Sequence, residues 1–206
     1  MNARRLTLAT LASLCGLVCA LAIGAGSSAA ATTFGEYGTE AGQLRFPAGV
    51  AADAAGDVYV ANSGDSRVDK LTGSGSPILA WGAGVLDGAN ELQTCTTSCE
   101  RGLPGFLSGV TGGFEFPDGV AVDNELSSMS YGDVYVVDYT RARVEKYDPA
   151  GKFLLMFGGH VNQTTGANVC VAGETCKVGV EGTGDGEFSY WPTFTGFIAS
   201  FSGLPQ

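Results

Sequence analysis

The sequence predicts an all-β fold made of a repeated sheet, and three observations carry that reading. Residues 46–82 and 116–158 say nearly the same thing twice. Glycine accounts for 32 of 206 residues, about twice its usual share, and it separates short runs of Val, Tyr and Phe as tight turns separate strands. Beyond the first 31 residues no long segment shows helical periodicity.

The repeat can be followed residue by residue. Phe46-Pro47-Ala48-Gly49-Val50-Ala51-Ala52-Asp53 returns as Phe116-Pro117-Asp118-Gly119-Val120-Ala121-Val122-Asp123. Gly56-Asp57-Val58-Tyr59-Val60 returns as Gly132-Asp133-Val134-Tyr135-Val136. Arg67-Val68, Lys70, Gly75, Leu79 and Gly82 recur as Arg143-Val144, Lys146, Gly151, Leu155 and Gly158. Such a repeat is one supersecondary unit copied along the chain, and each copy needs a neighbour to cover its apolar face. Each copy holds four strand-like runs. The first has Gly49–Asp53, Asp57–Ala61, Arg67–Leu71 and Ile78–Trp81; the second has Gly119–Asp123, Asp133–Val137, Arg143–Tyr147 and Phe153–Phe157. Val58, Val60, Val134 and Val136 alternate with Tyr59 and Tyr135, so both faces of the sheet are apolar, as suits a sheet packed between two others. Four-stranded sheets stacked face to face around an axis form a propeller.

The run Phe-Pro-x-Gly-Val-Ala-x-Asp, then Gly-Asp-Val-Tyr-Val-x-[Asn/Asp], then Arg-Val-x-Lys with a glycine turn and an aromatic-Gly ending, resembles the NHL repeat family of β-propellers. Two weaker stretches extend the resemblance. Phe34-Gly35, with Gly42-Gln43-Leu44-Arg45-Phe46-Pro47, is similar to an outer strand leading into a repeat. Gly186-Glu187-Phe188-Ser189-Tyr190-Trp191-Pro192 is similar to the same lead-in for a third repeat, with Phe197-Ile198-Ala199 as its first strand. The domain plan is therefore a signal peptide at 1–31 and a partial propeller over 32–206. Propellers close with about four to eight blades, so a chain with two repeats and the opening of a third at 186–206 reads as part of a larger ring. Assembly of several copies, and two blades standing alone, are the remaining arrangements.

The address follows from the first segment. Arg4 and Arg5 precede an apolar stretch from Leu6 to Ala25, and Ser27-Ser28-Ala29-Ala30-Ala31 supplies small residues for cleavage. Thr7, Thr10, Ser13 and Gly16 dilute the stretch as a membrane anchor, and residues 14 and 18 are too large for Cys15 or Cys19 to carry a lipid. The expected location is secreted or cell-envelope, without stable membrane insertion after cleavage. Removal of 1–31 leaves nine basic against 21 acidic residues, a charge of −12. Such a surface repels phosphate backbones, and no Lys/Arg cluster interrupts it, so nucleic acid is excluded as a partner.

Two insertions follow the aromatic-Gly endings, at 84–112 and 159–185, and both are expected on one face of the propeller. They carry Cys95, Cys99, Cys170 and Cys176, which pair in an oxidising compartment. Four cysteines allow three connectivities; the pairing local to each insertion, Cys95 with Cys99 and Cys170 with Cys176, is preferred. A zinc ion on all four is the competing reading, and spacings of three and five residues do not match zinc knuckles. Asn124–Tyr131 lengthens the first turn of the second repeat as a polar loop. Asp53, Asn62, Arg67, Asp123, Asp138 and Arg143 are the recurrent polar positions. They read as a hydrogen-bonded frame for each blade rather than a ligand site, because buried polar groups need partners.

No catalytic, cofactor or metal residues are expected. His160 is the single histidine, no Gly-x-Ser-x-Gly elbow occurs, and Lys152 lies in no phosphate loop. Residues 182–187 lack the alternating acids of a calcium loop, and Asn162-Gln163-Thr164 fits a glycosylation acceptor. The resemblance implies an interaction module for a protein or glycan partner, contacted through the cysteine-bearing insertions. Its alternative implication is a piece of a lyase- or lactonase-like propeller whose axial metal site needs further blades.

Overall fold

The computed structural model describes residues 33–105 and 111–189. The signal segment at 1–31, the middle of the first insertion at 106–110, and the third-repeat strand at Phe197-Ile198-Ala199 lie outside the described residues. Two antiparallel sheets make up the fold. In the first repeat β1 (Pro47–Ala52), β2 (Val58–Asn62), β3 (Arg67–Leu71), β4 (Pro77–Ala83) and β5 (Leu92–Cys95) pair in chain order. In the second, β6 (Pro117–Val122), β7 (Val134–Asp138), β8 (Arg143–Tyr147), β9 (Phe153–Gly158) and β10 (Val169–Val171) do the same.

The sheets are thus five-stranded, which corrects the expected four. The extra strand of each comes out of an insertion. Leu92-Gln93-Thr94-Cys95 pairs with β4 and Val169-Cys170-Val171 with β9. Segments of four and three residues inside glycine-rich loops are too short to declare a period, so only docking against the preceding strand reveals them.

Registers in the two sheets correspond. Tyr59 faces Lys70 and Asn62 faces Arg67 across β2–β3; Tyr135 faces Lys146 and Asp138 faces Arg143 across β7–β8. Both β2–β3 and β7–β8 turns are single 3-10 turns ending in a left-handed residue, Ser66 (φ 49°) and Ala142 (φ 44°).

The two sheets meet as neighbouring blades, with the inner strands β1 and β6 side by side. Gly49 makes that approach possible: a Cβ there would sit 2.5 Å from the Asp118 carbonyl oxygen and 2.9 Å from the Gly119 Cα. Ser63 Oγ donates to the Pro117 carbonyl, and Ser66 Oγ donates to Glu115 O at 3.1 Å. Between the sheets lies an aromatic core. Trp81 packs edge-on to Tyr59 (centroids 6.2 Å) and tilted against Tyr147 (5.7 Å), which also touches Phe114 (5.5 Å) and Phe153 (5.9 Å). Trp81, Tyr147 and Phe114 are fully buried, and large aromatic side chains of this kind dominate a core's burial energy. Gly151, at φ +79°, leaves room for the indole, since a Cβ would come to 3.0 Å of it.

Candidate functional site

The six recurrent polar positions fall into two groups. Asp53 and Asp123 close the β1–β2 and β6–β7 turns. Asp53 Oδ1 accepts the Ala55 and Asp57 N–H groups at 3.0 and 2.9 Å. Asp123 Oδ1 accepts the Glu125 N–H at 3.0 Å, and its Oδ2 accepts the Ser128 hydroxyl at 2.7 Å. Partial burial pushes the Asp53 carboxyl up, but the Asp57 N–H and the Lys70 ammonium more than reverse this and hold it below its ordinary range. Lys70 lies 3.1 Å from Asp57 and over the Tyr59 ring, as Lys146 lies 2.8 Å from Asp133 and over the Tyr135 ring.

Asn62 with Arg67, and Asp138 with Arg143, form the second group. Arg67 is fully buried. Its Nε donates to Asp69 Oδ2 at 2.9 Å, and its two Nη atoms donate to carbonyls of Glu100 (3.0 Å), Glu40 (3.0 Å), Gln43 (3.1 Å) and Thr39. Asn62 donates to Asp69 at 2.9 Å and accepts the Arg45 N–H at 2.8 Å. In the second blade Arg143 Nη2 donates to Gly113 O at 2.8 Å and Asp138 at 3.4 Å. Asp138 accepts the N–H groups of Glu115 and Phe116 at 3.2 and 3.1 Å. Each arginine therefore ties strands to the segment leading into its blade, Arg67 through four main-chain carbonyls and Arg143 through that of Gly113.

The cysteines form two local disulfides, Cys95–Cys99 (S–S 2.08 Å) and Cys170–Cys176 (2.06 Å), one in each blade. All four are therefore used in pairs and do not converge on a zinc ion.

The insertions turn out to be two copies of one device. Cys95 pairs with Ala80 across β4–β5, and Cys170 with Met156 across β9–β10. After each disulfide the chain returns along the same route. Glu100 N–H donates to Val85 O at 2.7 Å, as Lys177 N–H donates to Val161 O at 2.8 Å. Gly102 N–H then reaches Asp65 O at 2.8 Å, as Gly179 N–H reaches Arg141 O at 2.9 Å. Gly105 N–H reaches Phe114 O at 2.7 Å, as Gly182 N–H reaches Phe188 O at 3.1 Å. Close packing at the return excludes side chains: a Cβ on Gly102 or Gly179 would lie 2.5 or 2.1 Å from the carbonyl of Ser66 or Ala142.

The signal was present in the residues. Gln93-x-Cys95 matches Asn168-x-Cys170, and Cys99-x-x-Gly102-Leu103 matches Cys176-x-x-Gly179-Val180. In both, the amide oxygen two residues before the cysteine caps the preceding turn, on Leu86 N–H and His160 N–H at 2.9 and 2.8 Å. The repeating unit is thus longer than 46–82 and 116–158 and includes its insertion.

Both insertions contribute to one recess. A shallow groove of about 380 Å³ runs between the blades, lined by Leu92 and Thr94 of β5, Ala172 and Gly173 after β10, and Lys152 and Phe153 at the start of β9. Sequence reasoning missed it because its walls come from parts of the chain about 80 residues apart, joined only by blade stacking. Other candidates are absorbed by structure. Asn162 is buried, its Nδ2 donating to Glu174 and its Oδ1 capping Thr164 and Thr165, which places the amide inside a turn rather than in reach of a glycosylating enzyme. Glu187 Oε2 accepts the Gly184 N–H at 2.9 Å, so the 182–187 turn uses that carboxylate internally. His160 Nδ1 lies 2.9 Å from Gly166 O. No helix among the described residues is long and apolar enough to cross a membrane.

The family model of the NHL repeat matches residues 44–71, the stretch from the lead-in at Leu44 through the end of β3. The chain carries an NHL repeat. The second blade reproduces the strand registers, turns and arginine of that matched NHL segment. No curated protein matches the chain.

Proposed function

We propose that this NHL-repeat chain is an extracytoplasmic binding or scaffolding module, and that it engages a protein or glycan partner at the groove between its two disulfide-braced insertions. The observation that supports the reading is the shared recess. Two insertions of the same construction, each stapled by its own disulfide, bring Thr94 and Ala172 to one recess, which the exposed Lys152 also lines. A wall held by a fifth strand and a disulfide is already ordered before a partner arrives, which lowers the cost of binding. The disulfides suit an oxidising compartment, and the segment at 1–31 is proposed to direct export. The polar positions Asp53, Asn62, Arg67, Asp123, Asp138 and Arg143 act in this proposal as the frame that holds the blades, not as contacts.

Because each insertion supplies a strand, deleting it would damage the fold; the groove is better tested by substitution at its rim. Ala172→Trp fills the recess and Lys152→Glu reverses its charge, both at exposed positions. Immobilised chain is expected to capture a partner from extracellular protein and glycan pools, and both variants to lose that capture while keeping the parent's thermal midpoint. Undiminished capture by both variants would refute the groove as the contact surface.

A further inference from the structure

The arginine pockets of the two blades are not charged alike. In blade one, Asp69 faces Arg67 at 2.9 Å and Asp65 faces Arg45 at 3.3 Å, two carboxylates with two guanidiniums, and the position opposite Arg67 is the neutral Asn62. In blade two, the corresponding positions are Glu145, Arg143 and Asp138. Arg143 Nη2 alone serves both acids, at 3.0 Å from Glu145 Oε1 and 3.4 Å from Asp138 Oδ2. Arg141 does not make up the difference, because it is paired with Glu115 at 2.7 Å. Glu145 and Asp138 are fully buried. Two carboxylates sealed with one guanidinium leave an uncompensated negative charge in the interior, which is costly unless a proton removes it.

The hydrogen bonds offer that proton a place. Tyr147 has one hydroxyl proton, and its oxygen lies 2.7 Å from the Gly112 carbonyl, which can only accept. The same oxygen lies 3.2 Å from Glu145 Oε2. With the tyrosine proton committed to Gly112, the second contact is a hydrogen bond only when Glu145 donates. Among the described residues Glu145 Oε1 meets Arg143 as an ion-pair contact without hydrogen-bonding geometry and Arg143 Nε has no hydrogen-bond partner, so the pocket satisfies Glu145 less completely than a buried carboxylate requires. We infer that the core of blade two stores a proton on Glu145, beside Tyr147, and that this makes blade two sensitive to pH in the neutral range. Burial raises the Asp69 carboxyl of blade one as well, but there Arg67 and Asn62 both donate to it.

The groups facing Glu145 are Asp138 from β7, Arg143 and Tyr147 from β8, and Arg141 from the turn between them, the last paired with Glu115 of the lead-in. Burial is the largest influence and raises the Glu145 carboxyl to about 8; Arg143 opposes it and Asp138 reinforces it. Burial and the neighbouring Glu145 also push the Tyr147 hydroxyl well up, so its own proton stays in place. Because the folded carboxyl is raised above its unfolded value, the unfolded chain binds fewer protons between the two. The contribution of Glu145 is fully present below the ordinary glutamate range and is lost as pH rises through about 8. One proton changes the unfolding equilibrium constant by up to about tenfold per pH unit inside that window.

The test is a carbon-13 NMR titration of carboxyl groups in the intact chain from pH 4 to 10, paired with urea unfolding at each pH. One carboxyl is expected to titrate near 8 and to vanish in Glu145→Gln, and that variant is expected to lose the fall in stability between about pH 5 and 8. If every carboxyl titrates below pH 6, the inference is overturned, and this reading needs no variant to fold. Retention of the parent's slope by Glu145→Gln would overturn it equally. Asp69→Asn, the matching change in blade one, is expected to leave the slope in place; loss of the slope there would move the stored proton to the wrong blade and also overturn the proposal.

Discussion

Blade one balances Arg67 with Asp69 and pairs Arg45 with Asp65, whereas blade two gives Arg143 both Asp138 and Glu145 and pairs Glu115 with Arg141. Arg45 and Glu115 occupy the same place in the lead-in, two residues before each proline, and Asp65 and Arg141 the same place in the 3-10 turn. The ion pair between lead-in and turn has been kept while its polarity has been reversed. Geometry is therefore what the repeat preserves at this point: a bond between the segment entering the blade and its β2–β3 turn, in whichever direction the charge runs. The guanidinium of Arg67 or Arg143 is common to both because it donates to a lead-in carbonyl and to a carboxylate at once, which a carboxylate cannot do.

Four groups of substitutions break or sharpen this comparison. The largest effect is expected at the aromatic core. Trp81→Ala removes the side chain that touches Tyr59 and Tyr147 across the blades and is expected to cost about 3–5 kcal/mol. Phe157→Ala, at the corresponding place on β9, is expected to cost less, since among the described residues that ring meets Phe188 and not a second sheet; urea midpoints of the two variants decide this. Next is Arg143→Met, which strands the buried Asp138 carboxylate beside the protonated Glu145 and is expected to cost on the order of 3 kcal/mol at neutral pH. Because burial already holds Asp138 high, acid neutralises it readily, and the deficit of Arg143→Met should shrink as pH falls from 7 to 5.

The disulfides come third. Cys95→Ser/Cys99→Ser and Cys170→Ser/Cys176→Ser open rings with sequence separations of four and six, and each is expected to cost up to about 2 kcal/mol by loop-closure entropy. Near-equal losses would support two copies of one device; a loss confined to one blade would show that the likeness is only geometric. The smallest effect is the charge swap. Glu115→Arg/Arg141→Asp rebuilds the blade-one polarity in blade two, and a double-mutant cycle is expected to recover a coupling of about 1 kcal/mol that either single change loses.

Much of this architecture was legible in the residues. The Phe-Pro-x-Gly-Val run, the Gly-Asp-Val-Tyr-Val run and the Arg-Val-x-Lys run mark β1 to β3 and β6 to β8 to within a residue or two, because alternation and glycine turns are local signals. The pairing of Cys95 with Cys99 and Cys170 with Cys176 was also accessible, since sequence proximity and ring closure point the same way. The fifth strands were not. Leu92–Cys95 and Val169–Val171 have no period of their own and become strands only by pairing with β4 and β9. The groove was invisible for a related reason, as Thr94 and Ala172 acquire a common space only when one blade stacks on the other.

By itself the sequence determined the repeat, its turns and the residues at its polar positions, because glycine placement, side-chain alternation and the lead-in proline act over a few residues. Tertiary structure alone decided how those polar residues are charged and satisfied. Asp69 and Glu145 sit at the same place in their strands, yet the first shares its surroundings with Asn62 and Arg67 and the second with Asp138, Arg143 and Tyr147. A carboxyl's proton depends on the full set of charges and dipoles that burial brings around it, and that set is assembled from the lead-in, two strands and a turn that meet only in the folded blade.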